Sequence, residues 1–253
     1  MSPLFISREN FMYLTSQHRD SENLRKADFE FHLRRLRPVI ELLAEKDAKL
    51  DGDWFLGGSS IADAQRFPVF SGRAIRKEVI DELRRKNADV IDDAKFIGIW
   101  NGDLQKGCGS SIEFCIDSTV FSNTFELTVN EMTAETSRLG DYRSAVEVVE
   151  KVVEIYTPSN LTFGPRKYQG KQVFEDRPGV SWMLYLPHVL ESSQVPEARD
   201  LIPVMRDDRQ QGTIIVSVTD AVFDVNNRDH VKAANDIEIR LADQDLLPRF
   251  VDL

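Results

Sequence analysis

Two aspartates and a lysine come nearest to a catalytic pattern in this chain. Asp81 is followed by Asp93-Ala94-Lys95, an order in which carboxylates would hold Mg²⁺ and the lysine would polarise a phosphate, as in a metal-dependent nuclease. The pattern is weakly specific, because Asp47-Ala48-Lys49 matches its second half equally well. Asp81 also falls in the middle of a predicted helix, so surface roles for these aspartates are favoured over a nuclease site.

Glycine and serine clusters raise a second possibility, the binding of a phosphate group. They are Gly57-Gly58-Ser59-Ser60 and Gly107-Cys108-Gly109-Ser110-Ser111. Neither cluster ends in the Gly-Lys-Ser/Thr of a P-loop, and neither follows the dinucleotide-binding fingerprint. Since such clusters usually mark turns, we expect the first to cap a short helix at Ile61-Ala62-Asp63 and the second to join two strands.

Histidines and cysteines complete the inventory of reactive side chains. The four histidines are scattered, and no pair of them has the spacing of zinc ligands. Cys108 and Cys115 have no histidine nearby, which fits neither a disulfide framework nor a metal site, and no basic partner for Cys108 is apparent. The sequence therefore predicts no catalytic residue, no metal and no cofactor, and two free thiols in a reducing compartment.

The charge of the chain limits its partners. The formal net charge is -10 and the sequence pI is near 5.0, so nucleic acid and anionic membranes would repel the chain, whereas a basic protein surface would attract it. No apolar run approaches the ~20 residues needed to cross a bilayer, and residues 1–9 lack the basic and apolar regions of a signal peptide. We expect a cytoplasmic protein with no direct nucleic acid binding.

The first part of the chain has the pattern of helices. Ser21 is the expected N-cap of a helix that carries an apolar stripe, and Pro38 is expected either to kink that helix or to start a second one. The stripe consists of Leu24, Ala27, Phe31, Leu36 and Ile40. Ser71 is the expected cap of a later helix that ends at Arg84-Arg85-Lys86, where cations complement the helix dipole. The helical part is predicted to cover about residues 1–94.

From about residue 95 the hydrophobic pattern changes to that of strands. The predicted strands are Lys95–Trp100, Ser111–Asp117, Thr124–Val129, Gln172–Phe174, Ser181–Leu186 and Thr213–Thr219. Asp141 should cap a helix on which Glu147 and Lys151 pair, and another helix should begin near Asn227. These elements predict an α+β fold, a mainly antiparallel sheet with helices packed on it, in a single domain of residues 1–253.

The three tryptophans have different surroundings in the sequence. Trp100 ends a predicted strand and Trp182 alternates with apolar residues, so both are expected in the core. Trp54 follows Asp51-Gly52-Asp53, and two residues separate it from the pair Gly57-Gly58. Trp54 is therefore the best candidate among the three for an exposed aromatic side chain that contacts a partner, with a role in the core or in a lid as the open alternative.

A series of structural motifs resembles a known family. In order, these motifs are Ile99-Trp100-Asn101-Gly102, Val180-Ser181-Trp182, Gly212-Thr213-Ile214-Ile215-Val216 with Asp224 after it, and Leu246-Leu247-Pro248. Their order and spacing resemble the bacterial immunity proteins of polymorphic toxin systems, family 52. The resemblance covers most of the chain from the first helix onward. Its motifs describe a scaffold, so no interface residue is carried over.

The resemblance implies a protein that binds and neutralises a cognate toxin with a restriction-endonuclease-like domain. Some toxins of this kind are delivered by type VI secretion, and the immunity protein protects the producing cell and its kin. Two alternatives remain open: a metal-dependent nuclease or other hydrolase with a non-local site, and a regulatory adaptor with an apolar groove. The sequence leaves the oligomeric state open.

An acidic immunity protein should present acids to the basic DNA-binding surface of a nuclease. We therefore expect three clusters at turns to face the toxin. They are Asp51 and Asp53 beside Trp54, Asp92 with Asp93, and Asp207 with Asp208.

Overall fold

The computed structural model describes residues 10–58, 60–90, 94–116 and 122–253. The strands are β1 Asn10–His18, β2 Phe55–Leu56, β3 Phe70–Ser71, β4 Ala74–Ile75, β5 Lys95–Trp100, β6 Ser110–Ile116, β7 Asn123–Glu131, β8 Asn160–Pro165, β9 Met183–Leu186, β10 Asp200–Arg206 and β11 Arg209–Val216. The helices are α1 Glu22–Lys26, α2 Phe29–Lys46, α3 Ile61–Ala64, α4 Lys77–Lys86, α5 Tyr142–Tyr156 and α6 Arg228–Asp243. Two short 3-10 helices span Arg166–Gly170 and Phe250–Asp252.

A nine-stranded sheet organises these elements, in the order β10-β11-β9-β8-β1-β7-β6-β5-β2. Each of its strand pairs is antiparallel, and β3 and β4 form a separate hairpin. The predicted antiparallel sheet with helices packed on it is confirmed. The single domain of residues 1–253 stays a prediction.

The prediction of a helical segment through residue 94 is wrong for β1, which lies near the centre of the sheet. In β1, Leu14 is the register partner of Leu127 in β7 and of Phe163 in β8. The strand was missed because two of its four buried positions facing the helices, Ser16 and His18, are polar. A search for alternating apolar residues does not detect such a strand.

The N-terminal helical segment is divided into two helices. Ser21 lies at the N-cap of α1 without a side-chain cap bond, and the Asp28 side chain starts α2 by accepting a hydrogen bond of 2.8 Å from the Phe31 amide. Phe31 is 39% exposed and so does not belong to the expected apolar stripe. Helix α2 continues through Pro38, so the proline does not start a second helix.

The predicted cap at Ser71 is also wrong. Ser71 pairs with Ala74 in the β3–β4 hairpin, where Gly72 has a φ of 55° that suits a tight turn. Helix α4 begins after this hairpin, at Lys77, and its last turn carries Arg84-Arg85-Lys86 as expected.

In the middle of the chain the structure agrees closely with the elements predicted from the sequence. The predicted strands correspond to β5, β6 and β7, except that Asp117 lies outside the described residues. The Asp141 side chain caps α5 by accepting from the Ser144 amide at 2.9 Å. The expected Glu147–Lys151 pair is wrong, because packing of α5 on α2 brings Lys46 to Glu147, while Lys151 pairs with Glu154.

In the last third, β9, β11 and α6 confirm three predicted elements, and Asn227 caps α6 through the Asp229 amide. The strand predicted at Gln172–Phe174 is wrong, since this segment is irregular and the Val173 amide donates to Glu238 of α6. Strands β8 and β10 were not predicted. No helix in the described ranges has both the length and the apolar character that a membrane crossing requires.

Helices cover the two faces of the sheet unequally. Alternate residues of the central strands, such as Leu14, Phe125 and Ile112, are buried on the side of α2 and α5. On the other side Leu184 and Ile215 are register partners and are fully buried at the β9–β11 end. The same side of β5, β6, β7 and β1 carries mainly polar residues that are half-buried or exposed.

Candidate functional site

The acidic turns expected to face a partner lie at the two ends of the sheet. Asp51 and Asp53 are exposed in the chain before β2, and Asp207 and Asp208 are exposed between β10 and β11. Strands β2 and β10 are the two edges of the sheet, which nine strands spaced ~4.8 Å apart place about 38 Å from each other. A standard interface of ~800 Å² per partner is roughly 30 Å across, so the two clusters do not share one.

Asp207 and Asp208 also have a local role. Their φ angles of 49° and 59° are those of a two-residue hairpin turn, and aspartate tolerates this conformation better than most residues. Arg206 and Arg209 flank them, so the turn carries no net charge. The third expected cluster, Asp92 with Asp93, lies outside the described residues.

The expectation of an exposed Trp54 is wrong. Trp54 is 1% exposed and belongs to the hydrophobic core, and its indole nitrogen donates to the Leu50 carbonyl at 3.4 Å. Trp182 is fully buried as predicted, whereas Trp100 is half-buried and donates to the Ala64 carbonyl at 3.0 Å. Trp54 is buried because the chain between the end of α2 and β2 packs its side chain into the core. The acidic residues next to it in the sequence favour the opposite prediction.

The residues of the nuclease-like pattern have structural partners. Asp81 lies on the surface of α4, where it forms ion pairs with Lys77 and Arg84. Asp47 accepts from Arg138, and Asp93 lies outside the described residues. Within the described ranges, no group of three or more histidine, cysteine or acidic residues has a metal-binding arrangement.

The glycine and serine clusters are structural where they are described. The Ser60 hydroxyl accepts from the Asp63 amide at 3.2 Å in α3, and residues 107–109 connect β5 to β6. Cys108 does have a basic partner, contrary to expectation: Lys49 Nζ lies 3.0 Å from its Sγ, and this contact raises the pKa of Lys49. The thiol is buried and free, so it serves as an acceptor inside the β5–β6 connection.

The polar side of β5, β6, β7 and β1, extended by β8, forms a broad candidate surface, which we call the open face. Its side chains alternate with the buried residues of the same strands. The open face contains Tyr13, Thr15, Gln17, Phe96, Glu113, Cys115, Thr124, Glu126, Thr128 and Thr162.

Two carboxylates face each other in the middle of the open face. Glu113 of β6 and Glu126 of β7 are direct register partners, and like charges in this position destabilise a sheet. Desolvation against the sheet raises the pKa of Glu113, the charge of Glu126 raises it further, and the charge of Arg166 offsets part of this rise. Among the described lysines and arginines, none forms an ion pair with either carboxylate. The pair is therefore available to a cation from outside.

Tyr13 and Arg166 border the carboxylates. Burial, followed by the charge of Glu126 and a hydrogen bond to it, raises the pKa of Tyr13. The guanidinium of Arg166 lies 4.5 Å from the centroid of the Tyr13 ring. Phe96, which is 53% exposed, adjoins the carboxylates on the side of β5. The open face thus combines acidic groups, which attract a basic partner, with an exposed aromatic ring, a type of side chain that is enriched at protein interfaces.

A cleft of about 290 Å³ occupies the β8 end of the open face. Its walls are the 3-10 helix Arg166–Gly170, the Pro178-Gly179 segment and Phe250. Buried Glu238 of α6 holds this wall, because its carboxylate accepts from Tyr168 Oη at 2.6 Å, the Val173 amide at 2.7 Å and the Val180 amide at 2.8 Å. Burial raises the pKa of Glu238.

Ser181 forms part of the cleft lining. It has a φ of 52°, in the left-handed region, and is 2% exposed. Its hydroxyl has no hydrogen-bond partner among the residues that the structure describes. A Cβ on Gly164 would lie 2.2 Å from the Ser181 Oγ, so the hydroxyl occupies the space directly above Gly164 on the open face. Sequence reasoning placed Ser181 in a strand and gave no indication of this hydroxyl.

Comparisons with known proteins agree with the sequence resemblance. Residues 23–249 match the model of a family described as Immunity protein 52. Among solved structures, the Pseudomonas aeruginosa T6SS protein PA0821 is similar with a TM-score of 0.50, at 12% identity, over 90% of this chain and 76% of that chain. At this identity the similarity shows a shared fold. No curated protein matches the chain.

Proposed function

The chain belongs to the immunity protein 52 family, and we propose from this membership that it binds a cognate toxin and neutralises it. The observation that carries the proposal is the family match over residues 23–249. The open face supports it, since a broad polar surface with an acidic centre is suited to binding a protein rather than to converting a small substrate.

The toxin we propose is a nuclease with a restriction-endonuclease-like domain. Such an enzyme needs a basic surface to bind DNA, and a protein of net charge -10 would associate with that surface quickly through electrostatic steering. The T6SS description of the structural relative supports a type VI secretion context. We place the neutralisation in the cytoplasm, where such a nuclease meets DNA.

The two alternative functions have less support. A metal-dependent nuclease would need Asp81 as a metal ligand, yet Asp81 is paired with two cations on the surface of α4. An adaptor with an apolar groove would need a continuous apolar surface, whereas Phe96 on the open face stands beside threonines and glutamates. Binding of one basic partner fits these surroundings better.

We propose the open face as the toxin-binding surface, ahead of the acidic turns. Glu113 and Glu126 face each other on one surface, while Asp51 with Asp53 and Asp207 with Asp208 lie at opposite edges of the sheet. The turns stay candidates for peripheral contacts, whose exposed charges typically contribute ~0.2–1 kcal/mol.

The experiment is co-expression with the toxin encoded by the neighbouring gene. Wild-type protein should restore growth of a bacterial host that produces the toxin in its cytoplasm, and should bind a catalytically inactive toxin in isothermal titration calorimetry. Glu113→Lys with Glu126→Lys should abolish protection and weaken binding by about 100-fold or more, because a basic surface would then meet cations. Reversal of Asp51 with Asp53, or of Asp207 with Asp208, serves as a matched change of charge and should weaken binding by less than about tenfold.

Absence of both protection and binding for the wild-type protein would contradict the proposed function. Full protection by the Glu113→Lys, Glu126→Lys variant, with loss of protection in either aspartate variant, would move the interface from the open face to that edge of the sheet. Circular dichroism of each variant shows whether it is folded.

A further inference from the structure

We propose, resting on the proposed function, that the open face binds an extended basic segment of the partner protein. One cationic side chain of the segment lies against Glu113 and Glu126, and a polar group about three residues away hydrogen-bonds the Ser181 hydroxyl in the cleft. This is a docking site with two anchor points on a single face of the sheet.

The first anchor point follows from the carboxylate pair. Glu113 and Glu126 are held opposite each other by the β6–β7 register, and in the free protein neither forms an ion pair with a described lysine or arginine. A guanidinium or ammonium group placed between them removes their mutual repulsion and forms charge-assisted hydrogen bonds. The pair is thus complementary to an arginine or lysine side chain.

The second anchor point follows from Ser181 and is independent of charge. A buried hydroxyl without a partner carries a desolvation cost, and such a group in a native protein calls for an explanation. The Ser181 hydroxyl is buried and lies directly above Gly164, and Ser181 is one of the residues that line the cleft. A donor or acceptor that enters the cleft would supply the missing hydrogen bond.

The two anchor points are spaced for one short segment. Glu126 is the register partner of Thr15, and Thr15 is the register partner of Thr162, whose hydroxyl donates to the Gly179 carbonyl in the cleft wall. Two strand spacings correspond to about 10 Å, which three extended residues span at ~3.3 Å each. Glu126 lines both the cleft and the depression around Phe96 and Glu113, so the surface between the anchor points is continuous.

Strand addition at the β10 edge of the sheet is disfavoured as an alternative mode. The outer strand β10 contains Pro203 and has a register irregularity at Val204/Met205, two features that block pairing with a further strand. The occupant we propose therefore lies across the open face, between Phe96 at one end and Phe250 at the other.

The test uses three capped tetrapeptides and the full-length protein. The probes are acetyl-Arg-Gly-Gly-Ser-amide, in which the serine lies three residues after the arginine, the same peptide with neutral citrulline in place of arginine, and acetyl-Arg-Gly-Gly-Ala-amide. Binding is measured by two-dimensional NMR titration. We expect the arginine-serine peptide to bind with shifts at Glu126, Thr162 and Ser181, and the citrulline peptide to bind about tenfold more weakly, as for loss of a charge-assisted contact.

Two protein variants assign the anchor points. In Glu113→Gln, Glu126→Gln protein the arginine and citrulline peptides should bind equally, whereas Glu78→Gln, on the surface of α4, should preserve their difference. In Ser181→Ala protein the serine and alanine peptides should bind equally, whereas in wild type the serine peptide should bind about threefold more tightly, as for one hydrogen bond. Ser181→Gly, which also suits the left-handed φ, is the second variant should the alanine variant fold poorly.

Equal binding of the arginine and citrulline peptides to wild type, or shifts confined to another surface, would overturn the inference. Equal binding of the serine and alanine peptides to wild type would overturn the role of Ser181. These outcomes are separate from the proposed function: neutralisation of the toxin with no peptide binding refutes the docking mode alone, and peptide binding without neutralisation refutes the function alone.

Discussion

Glu131 should make the stability of the protein fall as pH rises from about 4.5 to 7. This carboxylate lies at the end of β7, is 4% exposed, and accepts from the Ser137 hydroxyl at 3.0 Å and from the Arg138 amide at 3.0 Å. Burial outweighs these hydrogen bonds and raises the pKa of Glu131 from 4.5 to about 7. The folded protein therefore holds this proton more tightly than the unfolded chain does.

The magnitude follows from the shift in pKa. A rise from 4.5 to about 7, at 1.36 kcal/mol per unit, corresponds to about 3 kcal/mol. Because the pKa of Glu131 is raised in the folded protein, its protonated carboxyl stabilises the fold fully below pH 4.5. This contribution to the free energy of unfolding is lost as pH rises through 7, and it does not change at higher pH.

A second group changes stability in the opposite direction over much of the same range. Burial lowers the pKa of His32 from 6.5 to about 4, so its contribution is present above pH 6.5 and is lost as pH falls through 4. The contributions of Glu131 and His32 partly cancel in the wild-type protein. The pH profile of wild type alone does not separate them, and a variant is needed.

The assay is urea denaturation of wild type and Glu131→Gln at a series of pH values from 4.5 to 8. The free energy of unfolding of the variant relative to wild type should increase by about 3 kcal/mol over this range. Glu135→Gln is the control, because Glu135 is an exposed glutamate close by. Its change in the free energy of unfolding measures the general effect of losing one negative charge. A difference that stays constant with pH would refute the argument from burial. A difference that falls with pH would show that the bonds from Ser137 and Arg138 outweigh burial.

Three further predictions concern the folded chain. Asp141→Ala should lower the free energy of unfolding by ~1 kcal/mol in denaturant titrations, because it removes the cap of α5, whereas Ser21→Ala should cost much less since Ser21 makes no cap bond. The Cys108→Ser, Cys115→Ser variant should still protect cells from the toxin; loss of protection in a folded variant would reveal a thiol function. A fragment from Leu161 onward should show no cooperative melt, because it leaves β8 without its partner β1; an independent melt would contradict the single domain.

Local signals in the sequence were sufficient for much of the fold. The sequence predicts the cap at Asp141 and the helix start near Asn227, because at both positions a side-chain oxygen can accept a hydrogen bond from an amide a few residues later. Ile112, Phe114 and Ile116 were recognised on one face of β6 because they alternate with polar residues. In each case the residues that decide the structure are neighbours in the chain.

The errors arise where distant parts of the chain decide the structure. Ser16 and His18 are buried in β1 by packing against the helices, which no local pattern reveals. Trp54 is buried although acids precede it, and Lys49 reaches Cys108 across 59 positions of the chain. Propensity and periodicity contain no information on such contacts.

On the open face, too, some features follow from neighbouring residues and others depend on distant parts of the chain. Alternation alone assigns Glu113 and Glu126 to the polar sides of their strands. That they face each other depends on the β6–β7 register, and a shift by one residue would place them on opposite faces of the sheet. The position of the Ser181 hydroxyl depends on two further features, the left-handed backbone of Ser181 and the absence of a side chain at Gly164.

Three features that disfavour folding of the free chain coincide on the open face. Glu113 faces Glu126, the buried Ser181 hydroxyl lacks a partner in a left-handed residue, and Phe96 is 53% exposed. Each could be relieved by a simple substitution, and local inconsistencies of this kind are expected at functional sites. A single occupant would relieve all three, since a cation, a hydrogen-bonding group and an apolar contact can belong to one short segment. Their coincidence on one face is the reason to look for the toxin there before the edges of the sheet.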